Sequence, residues 1–341
     1  MKFLDSEIKL LKTLVELNGI SGFEDEIRNF VKKEIKKLNY EYDTDYIGNL
    51  YAYKIKRNNK YTILIDAHMD EVGFLSVRKD KDIVTAIPVG GVSSDFLKGQ
   101  TILLKTKNNI YLKGKFISSE NSIYTFKFDE EELNKNEVSA GQMIVCRGNL
   151  KVNEDKTLLK GKAFDDRFGI AIMLETMKAF QNIDLPFNVI FAFLNQEEVG
   201  LRGANVCSLS KEYDISISLD CSPTDAEIEN NGILKHGFLI RHADGSMIAF
   251  KEAIELQKLV ADKLNIPYQD YFRTKGGTNA GALFKNKNGC LSMTLCICGE
   301  SIHTNKTVIS AIDYHAAKNE LIGILNYLDE DKITSLLKER K

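Results

Sequence analysis

The sequence predicts an α/β protein in which a small β domain interrupts a sheet covered by helices. Three observations predict this fold class. Helical and strand-like hydrophobic patterns alternate before residue 72 and after residue 161, as in a sheet with helices packed on it. Residues 72–161 instead contain only short strand-like segments separated by turns. The chain has 341 residues, which is more than one compact unit of ordinary size usually holds.

The segment before residue 72 predicts two helices followed by strands. Ser21 and Glu24 have the spacing of a capping box, and Ile27 and Val31 then fall on one face of a helix. Residues 61–66 form a short apolar run that ends in polar residues. This pattern is typical of a strand buried in the middle of a sheet.

The later segments complete the assignment of two domains. The inserted β domain has strand-like runs at 101–105, 109–115, 122–128 and 142–146. After it, strand-like runs at 187–194 and 215–219 alternate with helical patterns, the last of which follows a cap at Asp313. We assign 1–71 and 162–341 to a catalytic α/β domain and 72–161 to the inserted β domain.

Composition and charge exclude several classes of protein. The 46 basic and 48 acidic side chains give a net charge of -2, which excludes nucleic acid as the main partner. No apolar run approaches the roughly 20 residues that cross a bilayer. Acidic residues near the start interrupt any secretory signal, and six scattered cysteines are typical of reduced thiols. We therefore expect a cytoplasmic protein without membrane partners.

Histidines and carboxylates stand at or just beyond the ends of several strand-like runs. Loops at such positions usually build the site of an open α/β sheet. These residues are His68-Met69-Asp70-Glu71, Asp165-Asp166, Glu197-Glu198, Asp220 and His303. Imidazole and bridging carboxylates suit a pair of divalent cations, with which a hydrolase acidifies a water. Taken singly, a carboxylate pair more often begins a helix, and Asp166 is placed to cap one.

Four motifs occur in order along nearly the whole chain. They are Ala67–Gly73, Gly161–Arg167, Gln196–Ala204 and Gly276–Thr278. With these motifs the chain resembles the dinuclear metallo-aminopeptidases of family M42, of the glutamyl aminopeptidase and tetrahedral aminopeptidase type. The resemblance implies a zinc-peptidase-like mixed sheet covered by helices, with an inserted small β-barrel-like domain that serves oligomerisation.

The resemblance also implies a ligand set for two divalent metal ions per subunit, Zn²⁺ or Co²⁺. Asp165 is the carboxylate that bridges both ions. His68 and Asp220 complete the protein ligands of one ion, and Glu198 and His303 complete those of the other.

Two more roles follow from the same resemblance. Glu197 is the general base, which takes a proton from the attacking water and passes it to the leaving amine. Asp70 is the carboxylate that fixes the tautomer of His68. The peptide bond between Asp165 and Asp166 is expected to be cis. The implied partners are short peptide substrates and further copies of the chain, in an assembly as large as a dodecamer.

Three positions depart from the family pattern. Asn279 stands where the family usually has an aspartate, the usual arginine-tyrosine approach to His303 is absent, and Thr307 replaces a common glutamate. The departures keep open a noncatalytic peptide-binding scaffold, although a binding module has no chemical use for Glu197. A glycosidase of the endoglucanase kind is a further alternative. It needs neither histidine nor a shared carboxylate, and the chain contains 0 Trp residues for sugar stacking. The preferred amino-terminal residue, the native metal and the oligomer size are not predicted.

Overall fold

The computed structural model describes residues 1–92, 94–224, 228, 231–287 and 289–338. The helices are α1 (Asp5–Glu16), α2 (Asp25–Lys37), α3 (Glu130–Lys135), α4 (Phe164–Ala179), α5 (Arg202–Ser210), α6 (Lys251–Leu264), α7 (Ala280–Leu283), α8 (Ala311–Tyr327) and α9 (Glu330–Lys338). The first eight strands are β1 (Glu41–Thr44), β2 (Leu50–Lys54), β3 (Thr62–His68), β4 (Gly73–Asp80), β5 (Ile83–Val89), β6 (Thr101–Lys105), β7 (Tyr111–Glu120) and β8 (Ile123–Lys127). The others are β9 (Met143–Cys146), β10 (Lys151–Val152), β11 (Leu158–Gly161), β12 (Asn188–Leu194), β13 (Ile215–Pro223), β14 (Phe238–Ala243), β15 (Tyr268–Phe272), β16 (Leu291–Gly299) and β17 (Thr307–Ser310).

An eight-stranded mixed sheet forms the centre of the molecule, in the order β1-β2-β12-β3-β13-β16-β14-β15. Its middle strands β12, β3, β13 and β16 are parallel to one another. Because side chains of a strand alternate between faces, Ile63 and Ile65 join the core that contains α1, α4, α6 and α8. Leu64 points to the opposite face, where α5 and α7 pack. Both faces are therefore covered, and the prediction of a mixed sheet covered by helices is confirmed.

A closed six-stranded barrel follows β3, with the strand order β4-β5-β8-β7-β6-β9. Strand β9 pairs with β4 and so closes the barrel. Its interior is aromatic, with the ring centroids of Phe74 and Phe126 5.0 Å apart at an interplanar angle of 64°. The predicted strand at 101–105 coincides with β6, whereas β7 starts two residues later than predicted and extends to Glu120. The prediction of an inserted small β barrel is confirmed.

The segment between the barrel and α4 belongs to a third, smaller sheet. Strand β10 pairs with β11, and β11 pairs with β17 near the end of the chain. The strands just before residue 161 therefore bond to each other and to β17 instead of to barrel strands. The assignment of residues 72–161 to one domain remains a prediction. Within the described residues, no helix has the length and hydrophobicity needed to span a bilayer.

Two predicted helix caps have other partners. Helix α2 begins after Glu24 without a side-chain cap, and the hydroxyl of Ser21 instead donates to Asp70 at 2.6 Å. At α8 the cap is Ser310, whose hydroxyl accepts the Asp313 N–H at 3.1 Å. Asp313 itself accepts two backbone N–H groups from the segment before β14. Both predictions were wrong because tertiary partners replaced the local ones that spacing suggests.

The buried carboxylate of Glu7 on helix α1 binds two side chains of α8. Its oxygens lie 2.9 and 3.0 Å from Nε2 of His315 and also accept from the ammonium of Lys318. Burial opposes ionisation, but these hydrogen bonds outweigh it and lower the pKa of Glu7 to about 2. A carboxylate with a lowered pKa stabilises the fold above its unfolded-state pKa, and this contribution is lost as the pH falls.

We expect the Glu7→Gln variant to lose about 3 kcal/mol of unfolding free energy, because it removes the buried negative charge that His315 and Lys318 stabilise in the folded state. The difference from the wild type should be complete above pH 4.5 and should shrink as the pH falls towards about 2. Urea unfolding at several pH values measures it. The matched control is Glu16→Gln, which removes only a surface pair with Lys12 and should cost below about 1 kcal/mol. Equal losses in the two variants would contradict the prediction.

Candidate metal centre

The candidate site lies at the carboxyl ends of the parallel strands. His68 is the last residue of β3, and its strand partner is Leu194, the last residue of β12. Glu197 and Glu198 follow β12 directly, and Asp220 lies near the end of β13. Neighbouring parallel strands all end at the same edge of the sheet, so their terminal residues and the loops that follow meet there. The strand order thus brings together residues that are far apart in the sequence.

Two groups of potential ligands share one carboxylate. His68, Asp165 and Asp220 form the first group, and Asp165, Glu198 and His303 form the second, with the ligand atoms of each group within 4.8 Å of one another. Asp165 Oδ1 lies 3.0 Å from His68 Nε2, and its Oδ2 lies 3.3 Å from His303 Nε2. His303 Nε2 also lies 3.2 Å from Glu198 Oε2. All five residues that the resemblance implies as ligands therefore converge.

The charges at the site require compensation. Burial and neighbouring carboxylates raise the pKa of Glu197 and of Glu198 to about 8, and they raise the pKa of Asp220 well above its usual range. Asp165 behaves differently, because hydrogen bonds with His303 and His68 outweigh its burial and lower its pKa. Divalent cations would offset this crowding of negative charge, and the oxygen and nitrogen donors present suit zinc, cobalt or manganese. The donor set therefore fits a pair of metal ions.

Asp70 holds the loop after β12 in place. Its Oδ1 accepts the backbone N–H of Glu197 at 3.0 Å, and its Oδ2 accepts that of Glu198 at 3.1 Å. His68 Nδ1 lies 3.1 Å from the Asp70 carbonyl oxygen and 3.5 Å from Oδ1, so we assign the ring proton to Nδ1. This leaves Nε2 of His68 free to bind a metal. The sequence predicted the contact with His68 but not the two backbone contacts.

Asp166 combines two structural contacts. Its Oδ1 accepts the N–H of Gly169 at 3.1 Å and so caps the regular part of α4, while Oδ2 lies 3.2 Å from the N–H of His68. The peptide bond between Asp165 and Asp166 is cis, as the family resemblance implied. Asp166 thus uses both carboxylate oxygens for backbone contacts and belongs to neither ligand group.

Glu71 is occupied by an internal ion pair. The ammonium of Lys162 donates to both of its carboxylate oxygens, at 2.5 and 2.7 Å, and Arg167 lies 3.4 Å from one of them. All three side chains are buried. Of the two carboxylates that follow His68, only Asp70 therefore reaches the candidate site. Nothing in the local sequence distinguishes the role of Asp70 from that of Glu71.

The loop that presents His303 is shaped by the barrel and by its own hydroxyls. Nδ1 of His303 donates to the carbonyl oxygen of Gly91, which follows β5, at 3.1 Å. A Cβ atom on Gly91 would lie 3.2 Å from this nitrogen, so glycine permits the approach. Thr307 donates to the Ser301 carbonyl at 3.0 Å and closes the loop where the family commonly has glutamate. No motif in the sequence indicates that Gly91 contacts the site.

Asn279 lies beside a second buried carboxylate, Asp66, two residues before His68 on β3. The hydroxyl of Ser218 donates to Asp66 at 2.6 Å, and the side chains of Ser218 and Asn279 both act to lower the pKa of this carboxyl against the effect of burial. Burial raises the pKa of Asp66 to about 7. An aspartate at position 279 would bring another negative charge to this buried position. The neutral amide is therefore compatible with its surroundings, and it leaves both ligand groups unchanged.

A cavity of about 610 Å³ opens onto the candidate site. The residues of both ligand groups other than His68 line it, and so does Glu197. Its lining also includes Arg241, Arg273 and Lys275. Arg241 is buried and donates to Asp244 at 2.8 Å and to Ser222 at 2.5 Å, while Arg273 is partly exposed and Lys275 is exposed. We refer to this space as the substrate cavity.

Comparison with known proteins identifies a family. The family model of the M42 glutamyl aminopeptidases matches residues 48–319. The glutamyl aminopeptidase of Lactococcus lactis subsp. cremoris is 29% identical over 350 aligned positions, which cover 96% of this chain and 98% of the relative. The match therefore spans the main sheet, the barrel and the candidate site together.

Solved structures share the whole fold. The TET aminopeptidase of the marine sediment archaeon Thaumarchaeota archaeon SCGC AB-539-E09 has a TM-score of 0.90 at 28% identity, covering 97% of this chain and 99% of the other. The TET1 peptidase of Pyrococcus horikoshii has a TM-score of 0.84 at 25% identity, covering 94% and 100%. The latter protein can assemble into a tetrahedron or a large octahedral shell.

We expect substitutions to separate the two groups by metal content. Asp220→Asn and Glu198→Gln should each retain one of two divalent ions, because each change removes a ligand from one group only. Asp165→Asn should weaken both sites, because Asp165 belongs to both groups. Calorimetric titration with zinc, checked by elemental analysis, measures the stoichiometry. Glu300→Gln, an exposed change outside both groups, is the matched control and should bind the full complement. Two tightly bound ions in Asp165→Asn would refute the shared carboxylate.

Proposed function

Because the chain belongs to the M42 peptidase family and is a hydrolase acting on peptide bonds, we propose that it removes amino-terminal residues from short peptides with two metal ions. The observation that carries the proposal is the position of Asp165 between two ligand groups. A single carboxylate that reaches both groups is the arrangement expected for two neighbouring cations. An isolated metal site would not need it.

Each ligand group would hold one divalent ion, Zn²⁺ or Co²⁺. His68 and Asp220 would complete one site, Glu198 and His303 the other, with Asp165 as the bridge. Bound ions of this kind supply Lewis acidity, which lowers the pKa of a water and polarises a carbonyl group. The protein contributes the orientation of the ligands through Asp70 and Gly91, which contact the far nitrogens of the two histidines.

Glu197 would act as the general base. Its side chain lines the substrate cavity next to Asp165 and Glu198, while its backbone N–H is held by Asp70. The carboxylate would accept a proton from the attacking water and pass it to the leaving amine. The adjacent Glu198 would instead be a metal ligand, since its side chain lies against His303. Backbone contacts with Asp70 fix both residues, so their side chains can hold different positions.

An acidic amino-terminal residue fits the substrate cavity best. Once cations neutralise the carboxylates of the two ligand groups, Arg241, Arg273 and Lys275 give the remaining lining an excess of positive charge. Arginine pairs favourably with a carboxylate side chain. The Lactococcus relative, a glutamyl aminopeptidase, supports the same substrate class. Arg241 is already engaged with Asp244 and Ser222, so Arg273 and Lys275 would make the direct contact.

Assembly and location complete the proposal. The chain would form a large homo-oligomer, up to a dodecamer, with the inserted domain of residues 72–161 contributing contacts. The shell-forming Pyrococcus horikoshii structure supports this, since it shares the fold over 94% of the chain. The cytoplasmic location remains the expectation from the sequence. A sealed assembly would restrict the enzyme to unfolded or short peptides.

The alternatives from the sequence fit less well. A glycosidase needs two carboxylates with a defined separation and no metal ligands. Here each candidate ligand group combines carboxylates with a histidine. A noncatalytic scaffold is inconsistent with membership in a family of peptidases. Asn279 and the missing arginine before His303 keep this alternative open, but neither position belongs to a ligand group.

The Glu197→Gln variant should keep both metal ions and lose about a hundred- to ten-thousand-fold in kcat, because the amide cannot accept a proton. A panel of aminoacyl chromogenic substrates, assayed with added zinc, cobalt or manganese and again with a chelator, measures activity and metal dependence. Glu300→Gln makes the same chemical change outside the ligand groups and should remain active. Full activity in Glu197→Gln would remove the assignment of the base.

The Arg273→Gln variant should lower kcat/KM for glutamyl substrates by about tenfold, because a charge-assisted hydrogen bond is lost. For leucyl substrates kcat/KM should change much less, so the glutamyl-to-leucyl ratio is the decisive quantity. Arg273→Lys keeps the charge and should recover part of the preference. Lys287→Gln, which removes a surface pair with Glu212, is the control. An unchanged ratio in Arg273→Gln would contradict the proposed contact.

A further inference from the structure

A second cavity, of about 440 Å³, is lined in part by Asn305 and Lys306 of the loop that carries His303. We call it the basic cavity. Its lining includes four cationic side chains and one acidic side chain, namely Arg147, Lys151, Lys160, Lys306 and Glu16. The cations come from four separate places: the segment after β9, strand β10, strand β11 and the loop that carries His303. The chain as a whole has a net charge of -2, so this local excess of positive charge is not a consequence of composition.

The cations of the basic cavity are not neutralised within the protein. Among the residues that the structure describes, the side chains of Arg147, Lys151, Lys160 and Lys306 form no ion pair or hydrogen bond with another side chain. The one acidic residue, Glu16, is itself paired with Lys12. Like charges gathered around one space repel each other, and an anion bound there relieves that repulsion. The cavity therefore favours a negatively charged ligand.

The basic cavity adjoins the candidate metal centre. Asn305 lines the basic cavity and also a narrow pocket between the barrel and α4. The walls of that pocket include Asp165, Glu198 and His303. Asn305 donates to Gln100, and its own Oδ1 is buried without a partner in the described structure. A polar group that lacks a partner beside the basic cavity is available to a ligand bound there.

Chain geometry limits the separation of the two sites. Three peptide units connect His303 to Lys306, so their Cα atoms lie at most roughly 11 Å apart. An extended peptide covers that distance with about three residues. A peptide whose amino-terminal residue occupies the substrate cavity can therefore place its fourth or fifth residue at the basic cavity.

We propose that the basic cavity binds the carboxylate of a short peptide substrate, about three to four residues beyond the bond that is cleaved. The carboxylate is the free carboxyl terminus of a tetra- or pentapeptide, or an acidic side chain at the same distance in a longer one. This inference rests on the proposed aminopeptidase function and names its preferred substrates. It gives the enzyme a means of selecting short peptides that does not depend on closure within an assembly.

The binding test uses the zinc-loaded Glu197→Gln protein, which retains the peptide instead of cleaving it. Peptides of two to seven residues, all beginning with glutamate, are compared by calorimetry as free acids and as carboxyl-terminal amides. We expect the free acid to bind about fivefold more tightly than the amide at four or five residues, with little difference at two. The difference should shrink in high salt, because all four cations are exposed and salt screens exposed charges.

A third peptide series distinguishes the two sources of the carboxylate. It consists of heptapeptide amides with glutamate or glutamine at position 4 or 5. Tighter binding of the glutamate form supports recognition of an acidic side chain, whereas a preference confined to free acids assigns the site to the carboxyl terminus. Equal binding of acid, amide and both side-chain forms at every length would overturn the proposal.

Substitutions test whether the basic cavity causes the difference in affinity between free acid and amide. In the double variant Lys160→Gln, Lys306→Gln, the acid-to-amide affinity ratio should fall towards one. General damage to the site would weaken acid and amide alike and leave the ratio unchanged. The control is Lys33→Gln, an exposed change on α2 that lines neither cavity, and the ratio should persist there. A ratio that persists in the double variant would overturn the assignment to the basic cavity.

The same peptides are assayed for hydrolysis by the wild-type protein with zinc. Binding that depends on the carboxylate without any hydrolysis would contradict the proposed function and leave the basic cavity supported. Hydrolysis that proceeds equally for acids and amides would support the aminopeptidase and contradict the basic cavity. The two failures are therefore distinguishable.

Discussion

Asp165 lies between two histidines, 3.0 Å from His68 and 3.3 Å from His303, and the rest of the site is arranged around it. One carboxylate can belong to two ligand groups only if each of its oxygens points towards one group. Neither oxygen can at the same time form an ion pair with a side-chain cation. Asp165 leads into α4, and its neighbour Asp166 caps the regular helix. The nearby ammonium of Lys162 is held by Glu71. These contacts leave Asp165 free to join the two groups.

The residues around the ligands act by forming hydrogen bonds with backbone groups. Asp70 accepts the N–H groups of Glu197 and Glu198, so one side chain fixes the position of both a candidate base and a candidate ligand. The hydroxyl of Ser21 in turn holds Asp70. A loop whose peptide groups are fixed in this way can present two adjacent carboxylates with different surroundings. Some acidic residues of the site thus line the substrate cavity, whereas Asp70 supports the backbone of the loop beside it.

The inserted barrel takes part in the site itself. The carbonyl oxygen of Gly91, just after β5, orients His303, and barrel residues such as Phe74 wall the narrow pocket beside the ligands. The loop after β16 therefore depends on two parts of the fold at once. This contact gives the insertion a role at the centre of the molecule, in addition to any role in assembly. The basic cavity lies where the same loop meets the start of β6 and the segment after β9.

The sequence alone determined the class of fold and an inserted β domain, because hydrophobic period is a local property of the chain, and the family resemblance added the five residues that converge. It also led to the cis bond after Asp165 through the family resemblance. It failed where a local partner competed with a distant one: Ser21 bonds Asp70 instead of capping α2. It was silent about Gly91, whose contact spans 212 positions. Only the tertiary structure decides such partners, because burial selects among many chemically similar donors and acceptors by their position in space.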